Sequence, residues 1–196
     1  METIIRPFTL NDLQHLVSAY RRFSEPPWNE VLDDESTANM FRGLHERRAD
    51  ILFAETMENR QFMGFAVGVP LSSRPDIAQH IPSPTGSHAR MLYLAELVVL
   101  ERFEHRDMGM QLTEARIQRF ADRFDIERFL VVARLTTANP HAATNYKRLG
   151  MSESVEVEVK TLKTTKRGPK MLPDKREIRY GHVSRRANKH THPPPP

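Results

Sequence analysis

The chain has 196 residues, 29 Lys or Arg against 25 Asp or Glu, and no cysteine. That length buries one sizeable core, and the missing cysteines exclude disulfides, thiolate nucleophiles and Cys-ligated zinc. No apolar run approaches the roughly 20 residues of a membrane span, and the opening lacks a basic-then-apolar leader, so the expectation is a cytoplasmic protein without membrane contact. The charge is unevenly placed: residues 160–196 hold 11 Lys or Arg against 2 Asp or Glu, a balance of +9, which leaves −5 on residues 1–159. The basic region could hold nucleic acid or an acidic partner. It equally fits a solvated, partly disordered extension, since no aromatic residue follows Tyr180. The expected division is a single domain over 1–184 and a basic, proline-ended, flexible tail over 185–196.

Residues 1–6 read as a short strand. Thr9, three residues before Asp12, is a capping pattern for a helix through Leu13, Leu16, Val17 and Tyr20, which Pro26 and Pro27 end. A second helix is predicted over 36–47, with Met40, Phe41 and Leu44 on one face. Residues 51–55 and 62–69 form an antiparallel hairpin, and the proline-rich stretch 70–90 reads as a long surface loop near the substrate. Residues 91–100 make the most apolar, hence central, strand. A helix over 109–124 and a strand over 127–135 complete a strand–helix–strand unit. A short helix follows over 139–149, ended by Gly150. Residues 154–160 alternate with period two, and their partner is predicted at 177–183 across a loop rich in Lys and Arg. The fold class is α/β, a mixed twisted sheet of six or seven strands flanked by helices.

Two segments carry chemistry. In the first, the turn over 104–111 aims backbone N–H groups and a helix start at one small volume. A pyrophosphate is the natural occupant, with Gly109 admitting close backbone approach and Arg106 adding a charged fork. Ordinary capping and a solvated arginine would explain the same residues. The second segment, 139–151, offers Tyr146 on a short helix.

Both segments resemble the GNAT family of N-acetyltransferases. The family's acetyl-CoA loop, Arg/Gln-x-x-Gly-x-Gly/Ala, is matched by Arg106-Asp107-Met108-Gly109-Met110-Gln111. Its later pattern, Asn-x-x-Ala-x-x-x-Tyr-x-x-x-Gly-Phe, is matched by Asn139, Ala142, Tyr146 and Gly150, with Met151 at the aromatic position. The resemblance spans roughly residues 3–160. It implies the acyl-CoA N-acyltransferase fold, acetyl-CoA as cosubstrate with no metal, and direct transfer of the acetyl group to a primary amine within a ternary complex. Gln111 departs from the family's small residue, so the turn must open or the side chain must leave the pyrophosphate path. The approach from Val99 to Arg106 is about two residues longer and lacks the usual proline, which predicts a bulge at the loop's entrance.

The resemblance places the cofactor on Leu97, Val98 and Val99 of the central strand, on residues 106–111, on Asn139 and on Tyr146. Asn139 could instead cap its own helix. Tyr146 is the expected acid for the leaving thiolate, an unperturbed tyrosine pKa being about 10, or else a packing residue. Glu96 is the expected base, a carboxylate on an apolar strand whose pKa a cleft would raise. It could also lie on a solvated edge, pair with Arg134, or orient a water that acts as base. His88, Arg90 and Tyr93 could touch the acceptor, and Trp28 could wall its pocket or pin the linker between the first two helices. Asp50, Glu55 and the scattered histidines form no metal cluster. The acceptor is a small molecule or a protein amine, and an acidic body favours cationic amines. Exposed strand edges could pair in a homodimer or be guarded by Lys163, Lys166 and Arg167. The alternative function is a noncatalytic protein of the same fold whose basic C-terminal region holds nucleic acid or an assembly partner.

Overall fold

A computed structural model describes residues 2–26, 28–81, 90–104, 107–136 and 140–185. Seven strands form one sheet in the order β1-β2-β3-β4-β5-β7-β6. They are β1 (Thr3–Pro7), β2 (Asp50–Thr56), β3 (Phe62–Pro70), β4 (Leu92–Val99), β5 (Arg128–Thr136), β6 (Glu153–Thr165) and β7 (Gly168–Ser184). Among the described residues five helices accompany them: α1 (Leu13–Tyr20), α2 (Asp34–Glu46), α3 (Pro75–Ala78), α4 (Met108–Phe124) and α5 (Pro140–Arg148). Only β4 and β5 run parallel, joined through α4, and every other neighbouring pair is antiparallel. The expected mixed sheet flanked by helices is what forms.

The central strands are apolar on both sides because both faces of the sheet are covered. Phe53, Phe65, Val67, Leu130 and Val132 pack under Leu13, Leu16 and Val17 of α1 and Phe41 of α2. On the opposite face, Leu52, Ala54, Met63 and Ala66 pack with Met108 and Leu112 of α4, while Val131, Ala133 and Leu135 pack with Ile117 and Phe120. The predicted capping pattern is present: the Asp12 carboxylate accepts from the Thr9 backbone N–H at 2.8 Å and from its hydroxyl at 2.9 Å. A 3-10 turn, Leu10–Asp12, leads from there into α1. Asp33 caps α2 by accepting the Ser36 N–H at 2.8 Å.

Three expectations are corrected. The stretch 70–90 opens not as an irregular loop but as a 3-10 turn, Leu71–Ser73, and the single helical turn α3, because Leu71 and Ile77 are buried anchors. The Lys- and Arg-rich segment after residue 160 is neither a loop nor a loose extension as far as Arg185. It is the far half of a long β6–β7 hairpin paired from Glu153↔Tyr180 to Thr165↔Gly168. Some of its cations are paired in place: Lys163 lies 3.1 Å from Asp174, and Arg176 lies 2.9 Å from Glu30. Third, among the described residues 100–104, which lead into the turn before α4, there is no bulge. The longer approach is taken up by a 3-10 turn, Glu101–Phe103, with Phe103 buried beneath α4.

The placement of α5 depends on two glycines. Gly150 follows the helix at φ +96°, a conformation that favours glycine. Its carbonyl presses onto β7 at Gly181, where an added Cβ would stand 2.2 Å from the Gly150 oxygen. Gly181→Ala is therefore expected to push the α5–β6 turn off the sheet and destabilise the fold by about 1–3 kcal/mol, read as a lower urea midpoint.

Candidate active site

The cleft begins with one surplus residue. β3 and β4 pair as Val67↔Glu96 and then Gly68↔Leu94, so Ala95 has no partner and β4 is bulged there. In a regular strand Glu96 would share a face with Leu92 and Leu94, which point toward α4. The bulge reverses the alternation. Glu96 now shares a face with Tyr93 and Val98 on the α1/α2 side, while Leu97 and Val99 turn toward α4.

Beyond the bulge, β4 leaves its parallel neighbour. Pairing with β5 covers only Leu92↔Val131 to Leu94↔Ala133, and the two strands part from there. The Leu100 N–H bonds the Met63 carbonyl at 2.9 Å, which fixes which backbone groups face β3. By antiparallel alternation Val98 also faces β3, opposite Phe65, whereas Leu97 and Val99 aim their N–H and C=O groups into the gap left by β5. A chain laid along that gap could pair with them as a strand would.

Arg116 of α4 braces this opening. It is fully buried, and its Nη1 donates to the carbonyls of Val67 and Glu96, both at 2.9 Å, across the step in the ladder. Its Nη2 donates to Thr113 Oγ1 at 3.1 Å, and its guanidinium faces Tyr146. Burial pulls the Arg116 pKa below the ordinary arginine value, and Tyr146 and Glu96 work against that. This residue was missed in the sequence although a signal existed. Leu112, Arg116 and Phe120 stand four apart on the buried stripe of α4, so a charge interrupts an apolar face.

The resulting cavity, about 180 Å³, passes between the parted strands. Glu96 and Arg134 enter it from β4 and β5, and Tyr20, Phe23 and Trp28 wall it from the α1–α2 segment. Tyr146, buried among Leu92, Val131 and Met151, reaches it from α5 on the other face. Glu96 is half-buried, and among the described residues its carboxylate has no hydrogen-bond or ion-pair partner. Burial raises its pKa to about 7, with Arg134 opposing the rise and Glu30 adding to it. Glu96 is thus neither on a solvated edge nor closed into an ion pair with Arg134. Trp28 does two things, lining the cavity and meeting Phe23 edge-on with ring centroids 5.4 Å apart. Tyr93 is buried in the same wall under the Arg74 guanidinium, and Arg90 is exposed and away from it. Tyr20, Glu30 and Arg176 are wall residues that the sequence reading did not single out.

Helix α4 starts at Met108, after Asp107 in the left-handed region at φ 54°. Asp107 makes no side-chain cap, so the first-turn N–H groups of Met108, Gly109 and Met110 carry no cap from it and remain donors for an anion. The Gln111 N–H is already bonded to the Asp107 carbonyl at 2.9 Å, and the Gln111 side chain lines a groove with Glu114 and Leu149. An added Cβ at Gly109 would stand 3.7 Å from Leu97, an ordinary contact. Arg106, Asn139 and His88 lie outside the described residues. Among the described residues no cluster of three His, Asp or Glu could hold a metal, and no helix is long and apolar enough to cross a membrane.

Solved structures of acetyltransferases share this architecture. The phosphinothricin acetyltransferase of the GNAT superfamily from Sinorhizobium meliloti, in complex with acetyl-CoA, superimposes with a TM-score of 0.68 at 13% identity, covering 98% of this chain and 97% of that one. Ribosomal-protein-alanine N-acetyltransferase from Brucella melitensis gives a TM-score of 0.61 at 17% identity over 92% of this chain and 99% of that one. A spermidine N-acetyltransferase mutant from Vibrio cholerae gives 0.61 at 10% identity over 91% and 92%. No protein-family model and no curated protein sequence matches the chain. The protein therefore has the GNAT acyl-CoA N-acyltransferase fold, as the two sequence motifs implied. The acceptors named for these three structures differ widely, so the fold leaves the acceptor open.

The bracing role of Arg116 has a direct consequence. Arg116→Met removes the donors to two interior carbonyls and is expected to cost about 2 kcal/mol or more, measured by urea denaturation. Arg116→Lys should recover only part of this, because an ammonium lacks the planar fork that spans both strands.

Proposed function

We propose that the protein transfers the acetyl group of acetyl-CoA to a primary amine by direct attack. The observation that carries this reading is the meeting of Glu96 and Tyr146 in one cavity, reached from opposite faces of the sheet where β4 and β5 part. A base on the α1/α2 side and an acid on the α5 side leave the parted strands between them for the thioester.

Acetyl-CoA supplies an activated acyl group when bound. Leu97 and Val99 would pair with its pantetheine arm through their open backbone groups, and the first turn of α4 would receive its pyrophosphate through the N–H groups of 108–110. Val98 contributes through packing, its backbone being engaged with β3. Arg106, Asp107 and Asn139 would complete the cofactor set that the sequence motifs assign, while Gln111 would border the phosphates without donating its N–H, which is bonded to the Asp107 carbonyl. The amine nitrogen forms the new C–N bond as the C–S bond breaks. Glu96 accepts the proton released by the nitrogen, directly or through one water, and the Tyr146 hydroxyl donates a proton to the departing thiolate. Holding both reactants in one cavity supplies alignment. A carboxylate with a pKa of about 7 is well matched to a base working near neutrality.

The test is a pH–rate profile measured by thiol release. For wild type, kcat/KM should rise with pH through about 7, as Glu96 loses its proton and becomes a competent base. Glu96→Gln should lower kcat/KM by about 10²–10⁴ and remove that limb, leaving only the higher-pH rise from the amine's own titration. Tyr146→Phe should lower kcat with little change in KM for acetyl-CoA. Calorimetry that detects no acetyl-CoA binding to the folded wild type would overturn the proposal.

A further inference from the structure

We propose that the acceptor is a small zwitterion, a primary amine with a carboxylate on the adjacent carbon and an apolar side group, bound amine to Glu96 and carboxylate to Arg134. This rests on the acetyl-transfer reading for its chemistry, but its binding geometry stands on the charges of the cavity.

Among the described residues four charged side chains line the cavity, and they fall into two kinds. Arg176 and Glu30 are 2.9 Å apart, with Asp174 at 2.5 Å from the same guanidinium, so these charges are paired with one another. Glu96 and Arg134 are not so engaged. Among the described residues, the Arg134 guanidinium comes no nearer to a carboxylate than 3.9 Å, from Asp76, with which it makes no hydrogen bond. Asp76 is itself already held by Arg74 through bonds of 2.9 and 2.8 Å. Glu96 and Arg134 stand on the two strands that part, on the same face, and they do not close on each other as an ion pair.

A simple cationic amine entering this space would be drawn to Glu96 and would bring its charge against a guanidinium held only by the 3.9 Å pair with Asp76. A simple anion would meet the converse. A molecule carrying both groups about one carbon apart satisfies both at once, and a guanidinium can take a carboxylate through two parallel hydrogen bonds. Part of the remaining wall is aromatic, from Tyr20, Phe23, Trp28 and Tyr93. Burial, and then the Glu96 charge, keep the Tyr20 hydroxyl protonated, so this wall is uncharged and suits an apolar side group. A cavity of about 180 Å³ matches a small molecule. The reaction balances as above, the amine nitrogen gaining the acetyl group and losing one proton while the carboxylate is unchanged.

The experiment compares L-phenylalanine, phenethylamine and L-phenylalaninamide as acceptors with acetyl-CoA, for wild type and Arg134→Gln. Wild type should favour phenylalanine by at least about tenfold in kcat/KM over both analogues. Arg134→Gln should abolish that preference mainly by raising KM for phenylalanine, with acetyl-CoA affinity unchanged. A wild-type preference for the amine or the amide, or a preference that survives in Arg134→Gln, overturns the proposal. Calorimetric titration of the three compounds, with and without coenzyme A, reads binding without turnover. Carboxylate-dependent binding without any acetyl transfer supports the zwitterion site and contradicts the acetyl-transfer reading. Acetyl-CoA binding and thiol release with other amines, but no affinity for phenylalanine, overturns the zwitterion site and leaves acetyl transfer standing.

Discussion

Arg116 donates one nitrogen to the carbonyls of Val67 and Glu96, two groups that a regular β3–β4 ladder would have satisfied for itself. The surplus residue Ala95 shifts that ladder by one, and an interior carbonyl left without a donor is costly. A guanidinium projecting from α4 supplies the donors, so the bulge persists inside a packed sheet. Three features of the cleft depend on it: Glu96 lies on the α1/α2 face, Leu97 and Val99 turn toward α4, and β4 diverges from β5 after Leu94. The same guanidinium faces Tyr146, so the two candidate catalytic side chains are tied to a common brace.

The electrostatics follow from this geometry. Glu96 would be an ordinary carboxylate on a surface strand. Placed in the cavity without a hydrogen-bonded partner, it is raised by burial to about 7, with Arg134 limiting the rise. In the proposed reaction, reactants entering from opposite faces need not displace each other, and the proposed acid and base approach the gap between the strands from different sides. The aromatic walls from the α1–α2 segment lower the local dielectric, which strengthens each remaining polar contact in the cleft.

Much of this was legible in the sequence because the signals are local. The apolar runs of β2 to β5, the Thr9–Asp12 capping pattern, Gly150 after α5 and the two GNAT-like motifs each depend on a few neighbouring residues. The bulge was not legible. The run Leu92 to Val99 reads as an ordinary apolar strand, and plain alternation puts Glu96 on the α4 face, because the extra residue exists only relative to β3. The β6–β7 hairpin was under-read for a related reason. Its Lys and Arg residues look like a solvated loop until Glu30 and Asp174, distant in sequence or across the ladder, are brought beside Lys163 and Arg176. Arg116 broke the apolar stripe of α4 in plain view, but its purpose is set by two carbonyls on other strands.

The most direct measurement is residue-resolved amide hydrogen exchange by NMR over β4, with and without saturating acetyl-CoA. The account predicts that the Leu97 and Val99 amides, which face the open gap, exchange readily in the free protein and slow when acetyl-CoA is added, while Val98, paired to β3, is slow in both states. Unchanged exchange at Leu97 and Val99 under saturating acetyl-CoA, or protection confined to another strand, would contradict it.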